Sequence, residues 1–166
     1  MWLFLFWIGT SPSEIPWLEL RTQLETQHPE LGPLTIRRRH RSAFRSLLSS
    51  DQAEYGQICT IVGIPPAERI AIERILGAKE IQALRFLLKA GPPAARLYAA
   101  EALLRLQDHG RPLSDEEVQW VRDLIVYPQP VRTCNGCMVT ETTTQTVLTD
   151  PKGPFAPFAA ILNLQK

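Results

Sequence analysis

Residues 94–106 are apolar on nearly every side when they are placed on a helix. Alanine, leucine and tyrosine fill almost all of these positions, and only Arg96, Glu101 and Arg105 form a narrow polar stripe. A helix that is hydrophobic all round is buried against several neighbours. The stretch therefore requires a chain that supplies further helices on more than one side of it.

Glycine and proline cut the surrounding sequence into segments of helical length. Residues 65–77 begin with prolines that suit a helix start, and residues 79–89 repeat the apolar pattern up to Gly91. Ser114 and Glu117 match a capping box, and the helix that they begin ends before Tyr127 and Pro128. We therefore predict a mainly α fold of antiparallel helix pairs with a small C-terminal β-hairpin.

The Ala/Leu-rich stretch at residues 94–106 resembles the first helix of a HEAT-like repeat found in uncharacterised bacterial proteins. The resemblance covers about residues 65–127. It implies a helical-repeat surface that binds another protein. An irregular helical bundle is the alternative, because a solenoid needs about three repeats to bury its faces.

Length and charge limit the class of protein. With 166 residues and a net charge of +1, the chain suits one domain without a strong bias toward nucleic acid or anionic membranes. We divide it into an apolar N-terminal segment at residues 1–16, a helical body at 17–130, and a hairpin with an apolar tail at 131–166.

The stretch Met1–Gly9 is the most apolar part of the chain, but it is too short to span a bilayer. It fits a buried N-terminal strand or helical turn, the remnant of a signal or anchor that begins upstream, or a peripheral contact with a membrane or partner. The second interpretation would place the protein in the bacterial envelope or periplasm; otherwise we expect it in the cytoplasm.

Arginine is concentrated at one place, ahead of an amphipathic helix that carries Phe44, Leu47 and Leu48. The side chains are either the solvated face of that helix or a patch that binds phosphates or an anionic surface. The residues of this candidate anion-binding patch are Arg37, Arg38, Arg39, Arg41 and Arg45.

The segment Cys134-Asn135-Gly136-Cys137 is the stretch with the most chemical content. Asn-Gly favours the centre of a two-residue hairpin turn, which would place Cys134 and Cys137 opposite each other as a disulfide candidate. A thiol-redox pair and a zinc site with Cys59 and a histidine are the alternatives. Cys59 itself is expected to be a small buried hydrophobe.

Two expectations concern the C-terminal part. The threonine-rich residues 140–146 favour an extended strand or loop. Phe155 and Phe158 belong to an apolar tail that we expect to pack back on the helices.

The chain carries no GxSxG, HExxH or Gly-rich phosphate loop, so we assign no catalytic, cofactor-binding or metal-ligating residues from sequence. The sequence favours a non-catalytic module that interacts with another protein. Nucleic-acid or anionic-surface binding through the arginines, and thiol-redox chemistry at Cys134 and Cys137, are the alternatives.

Overall fold

A computed structural model describes residues 15–49, 54–59, 63–136 and 138–162. The stretch Met1–Gly9 and Cys137 lie outside these residues. The helices are α1 Trp17–Gln27, α2 Arg41–Ser49, α3 Ala67–Gly77, α4 Ile81–Ala90, α5 Pro93–Asp108, α6 Asp115–Val126 and α7 Thr144–Thr149. The strands are β1 Glu54–Gly56, β2 Pro130–Asn135 and β3 Met138–Thr143. The prediction of a mainly α fold with a small sheet near the C-terminus is confirmed.

Helix α5 lies at the centre of the core, as its composition predicts. It packs against α3 and α4, and it also touches β1, β2 and α7. Leu97, Tyr98, Leu103 and Leu104 are fully buried on it. In the described part of the chain, no helix has the length and apolar character needed to cross a membrane.

The proline residues and the capping box that the sequence shows lie where the helices begin. Pro66 directly precedes α3, and Pro93 is the first residue of α5. The capping box forms at α6: the Glu117 backbone N–H donates to Ser114 Oγ at 3.2 Å, and the Ser114 N–H donates to the Glu117 carboxylate at 3.0 Å. Helices α3 to α6 therefore follow the Gly/Pro pattern closely.

The sheet has the strand order β1-β2-β3. Strand β1 pairs with β2 in parallel, and β2 pairs with β3 as an antiparallel hairpin. The hairpin is present where the sequence predicts it, but its register differs by one residue. Asn135 pairs with Met138, so Gly136, at φ +60°, occupies the first loop position instead of the second.

The threonine-rich segment is extended only in its first half. Residues 144–149 form α7, where Thr143 Oγ1 accepts a hydrogen bond from the Thr146 backbone N–H at 3.2 Å. This N-cap ends the extended run that β-propensity favoured. The apolar tail packs back as expected, because Phe155 and Phe158 are both buried.

Candidate functional site

Strand β1 is the part of the sheet that the helical body holds most firmly. The Tyr98 hydroxyl on α5 donates to the Glu54 carbonyl at 2.8 Å and accepts from the Gly56 N–H at 3.0 Å. Arg69 on α3 donates from Nε to the Gly56 carbonyl at 3.1 Å. Two helices therefore satisfy the backbone groups of a strand that has only three residues.

A buried ion pair fixes the two side chains that hold β1. Arg69 donates two hydrogen bonds of 2.8 Å to the two carboxylate oxygens of Glu101. The Tyr55 hydroxyl donates to the same carboxylate at 2.6 Å. All three side chains are buried, so each polar group depends on the others for its hydrogen bonds.

Burial and charge shift the pKa values in this network in opposite directions. Burial alone would raise the pKa of Glu101, but the hydrogen bonds and charge of Arg69 outweigh it and hold the pKa below its usual value. Burial raises the pKa of Tyr98 to about 12, and burial with the Glu101 charge raises that of Tyr55 well above its usual value. The carboxylate is therefore the charged acid of the network, and both tyrosines stay neutral.

Cys59 and Cys134 lie next to each other at the C-terminal end of β1. Their Cα atoms are 5.1 Å apart, and their sulfurs lie at disulfide distance although 75 residues separate them in sequence. Gly56 makes this approach feasible, because a Cβ atom there would collide with the carbonyl oxygen and the Sγ of Cys134. The geometry thus supports a link between the segment after β1 and strand β2.

This pairing differs from the one that the sequence suggested. The hairpin register places Val139, and not Cys137, opposite Cys134. Cys137 lies outside the described residues, so its pairing with Cys134 stays a prediction. Cys59 is half-buried beside a second sulfur instead of being an inert apolar side chain. No local signal could have revealed this partner.

The Glu54 carboxylate lies close to the two sulfurs. One ligand atom from each of Glu54, Cys59 and Cys134 lies within 4.8 Å of the other two. The Glu54 carboxylate also accepts from the Arg132 guanidinium at 3.0 Å, and these residues face each other in the β1–β2 register. Among the described residues, this is the group with the ligand types of a metal site, and it contains no histidine.

A cavity of about 390 Å³ borders the hairpin. Four threonines from β2, β3 and α7 line it, together with Gln57, Asn135 and Lys152. The threonines are Thr133, Thr140, Thr142 and Thr146. The cavity therefore offers hydroxyl and amide groups that accept or donate hydrogen bonds to a polar side chain.

Exposed apolar side chains surround the hairpin end of the sheet, and we call them the apolar rim. Backbone hydrogen bonds hold the segments of Ile58 and Ile64 near the hairpin turn: Gly136 N–H donates to the Ile58 carbonyl at 2.8 Å, and Cys59 N–H donates to the Ile64 carbonyl at 3.2 Å. The rim consists of Ile58, Ile64, Met138 and Val139, which are 45%, 54%, 69% and 44% exposed.

The arginine cluster makes contacts within the protein. Arg37 donates from Nε to the Glu80 carboxylate at 2.6 Å and also contacts the Ala78 carbonyl, while His40 Nδ1 lies 2.9 Å from the same carboxylate. The guanidiniums of Arg41 and Arg45 lie over the Trp17 ring, at 4.8 and 5.8 Å. Arg38 and Arg39 are exposed. The anion-binding patch stays a prediction, with these two side chains as its most accessible part.

Comparison with protein-family models, curated proteins and solved structures finds no match to this chain.

Proposed function

We propose that this chain is a non-catalytic protein-interaction module that binds an extended segment of another protein along strand β3. The observation that supports this most directly is that, among the described residues, no strand pairs with the outer edge of β3. The bound segment would add a fourth strand to the sheet and would cover the apolar rim.

Strand β3 carries few of the features that usually protect an edge, and Glu141 is its one charged residue. Antiparallel pairing with β2 uses the backbone groups of alternate residues, so the remaining N–H and C=O groups point away from the sheet. The six residues of β3 include no proline or lysine, and they pair with β2 in unbroken register without a bulge. Such an edge is suited to receive another strand.

The surroundings of β3 provide contacts for the side chains of the incoming strand. Met138 and Val139 begin β3 at the apolar rim, and Thr140 and Thr142 line the cavity. Because side chains alternate across a strand, Met138 shares a face with Thr140 and Thr142, and Val139 lies on the other face. The matching ligand is a segment with an apolar residue on each face near the turn and a small polar residue over the cavity.

The helical body would serve as the rigid support of this surface. The Arg69–Glu101 pair and Tyr98 attach β1 to α3 and α5, and β1 in turn pairs with β2. Binding along β3 would then require little rearrangement, which favours affinity. The HEAT-like character of the helices stays part of this proposal.

The two other candidate functions have less structural support. An anion-binding surface would depend mainly on Arg38 and Arg39, because Arg37 forms an ion pair with Glu80 and Arg41 stacks on Trp17. A thiol-redox function would require Cys134 to exchange partners with Cys137, whose position is not described.

The proposal is tested by selecting extended peptides from a random display library and measuring their affinity for the full chain. Replacement of Met138 or Val139 by serine should weaken binding by roughly tenfold, because a buried apolar side chain contributes about 1.5–3 kcal/mol. Methylation of alternate peptide amides should also abolish binding, since those N–H groups would pair with β3.

Leu18→Ser and Val126→Ser are the matched controls, because these side chains are 71% and 62% exposed but do not belong to the rim. They should change affinity by less than about twofold. If the selected peptides respond to the two controls and not to Met138 and Val139, binding occurs on the helices and the proposal is wrong.

A further inference from the structure

The group formed by Glu54, Cys59 and Cys134 combines ligand types that the proposed protein-interaction surface does not use. One ligand atom from each of the two cysteines and the carboxylate lies within 4.8 Å of the other two. Strand β1 carries Glu54, β2 carries Cys134, and Cys59 follows β1 by three residues. The sheet therefore assembles the group from two distant parts of the chain.

We propose that these three side chains form a binding site for a thiophilic divalent cation, best matched by Zn²⁺, in the dithiol form of the protein. Zinc is bound by thiolate at about 2.3 Å and by carboxylate at about 2.0–2.2 Å in tetrahedral geometry. Ligand atoms are then roughly 3.5–3.8 Å apart. Reduction breaks the bond between the two sulfurs and lets rotation about the side chains separate them toward these distances.

Backbone contacts hold the ligands in place before an ion binds. The Gly136 N–H donates to the Ile58 carbonyl at 2.8 Å, which attaches the segment of Cys59 to the hairpin turn. Gly56 lets β1 approach Cys134 closely. Two sulfurs and one oxygen favour zinc over magnesium or calcium, which prefer sets of oxygen ligands.

Arg132 balances the charge of the site. Two thiolates and a carboxylate carry three negative charges, of which Zn²⁺ neutralises two. The Arg132 guanidinium, 3.0 Å from the Glu54 carboxylate, neutralises the third and orients that carboxylate from outside. Because Glu54 and Cys59 are only half-buried, water can reach the fourth coordination position.

Metal binding and the disulfide are alternative states of the same two sulfurs. Two molecules of a small thiol reduce the disulfide, which yields the two protein thiols and one oxidised small-molecule disulfide. Zn²⁺ then binds the two thiolates, and their two protons pass to solvent. In the oxidised protein Cys59 and Cys134 are joined to each other and supply no thiolates, so the site cannot form.

The test uses the full chain, reduced with a phosphine and freed of reductant without oxygen, and titrated with Co²⁺ as a spectroscopic probe. We expect one Co²⁺ per chain, a sulfur-to-cobalt charge-transfer band, visible bands of four-coordinate cobalt, and displacement of cobalt by Zn²⁺. Cys59→Ser and Cys134→Ser should each remove most of the charge-transfer intensity. Circular dichroism establishes that each variant is folded.

Glu54→Gln and Cys137→Ser distinguish this ligand set from others. Glu54→Gln keeps the size of the side chain and should weaken metal affinity by at least about tenfold while the charge-transfer band persists at saturation. Cys137→Ser should change affinity by less than about twofold. The proposal is overturned if reduced wild-type protein shows no thiolate band, if Glu54→Gln binds as tightly as wild type, or if Cys137→Ser loses the metal.

Discussion

At the scale of single residues, the Arg69–Glu101 pair positions the sheet on the helical body. Both side chains are buried, and Arg69 also lies 4.7 Å from the centre of the Tyr98 ring. Removing one member of a buried ion pair leaves the other charge without compensation in a medium where water cannot solvate it. The stability of the site therefore depends on this pair more than on any surface ion pair.

Glu101→Gln should lower the free energy of unfolding by about 3–5 kcal/mol, because Arg69 would remain buried without its counter-charge. Urea unfolding followed by circular dichroism measures this. Glu116→Gln is the matched control: Glu116 forms an exposed ion pair with Arg85 and should change stability by less than about 1 kcal/mol. Equal effects of the two substitutions would contradict the role given to Glu101.

The cysteines give a second prediction at this scale. Under oxidising conditions, Cys59→Ser and Cys134→Ser should each destabilise the protein by about 4 kcal/mol on a chain-entropy model, because the link closes a 75-residue loop. Cys137→Ser should have little effect. The urea midpoints of the three variants, with and without reductant, test this, and a large effect of Cys137→Ser alone would favour the Cys134–Cys137 pairing instead.

At the scale of elements, the contact between β1 and β2 depends on a glycine. Strand β1 is short, and Gly56 faces Cys134 across the parallel pair. A methyl group at this position would overlap the Cys134 carbonyl oxygen, which the β1–β2 pairing holds in place. The sequence alone gives Gly56 no special status, since it lies in a polar connection.

Gly56→Ala should therefore separate β1 from β2 and destabilise the protein by about 1–3 kcal/mol, the usual cost of overpacking. Gly77→Ala is the control, because nothing lies within 4 Å of a Cβ at this helical position and alanine favours helices. Its unfolding midpoint should stay the same or rise. A Gly56→Ala variant as stable as wild type would show that the strands need no such close approach.

At the scale of the whole molecule, acid should destabilise the protein through its buried carboxylates. The pKa of Glu80 is also below its usual value, because hydrogen bonds from His40 and Arg37 outweigh the effect of burial. A lowered pKa in the folded state contributes stability above the usual glutamate value of 4.5, which is lost as the pH falls through the folded value.

The free energy of unfolding should therefore fall as the pH decreases below about 4.5. Urea titrations between about pH 6 and pH 3 measure this dependence. Glu101→Gln should be less stable at neutral pH but should show a shallower dependence on acid, because it lacks one of the two buried carboxylates whose pKa is lowered. An unchanged slope in this variant would mean that other carboxylates dominate.

The sequence predicts the helical body well, because proline, glycine and the Ser114–Glu117 capping box act locally. It predicts the hairpin but not its register. The Asn135-Gly136 pair favours a turn with these two residues in the loop, whereas the pairing of the strands puts Asn135 in β2 and only Gly136 in the loop. It could not predict that Cys59 meets Cys134 or that Arg37 binds Glu80, because these partners are far apart in the chain. Most of the candidate site therefore comes from tertiary contacts.

The most direct test of the account is amide hydrogen exchange over the whole chain, with and without a saturating peptide selected as described above. We predict that the peptide slows exchange in β3 and at the apolar rim and leaves α1, α2 and α6 unchanged. Protection confined to the helices, with β3 exchanging as fast as in the free protein, would contradict the claim that the edge of the sheet is the binding surface.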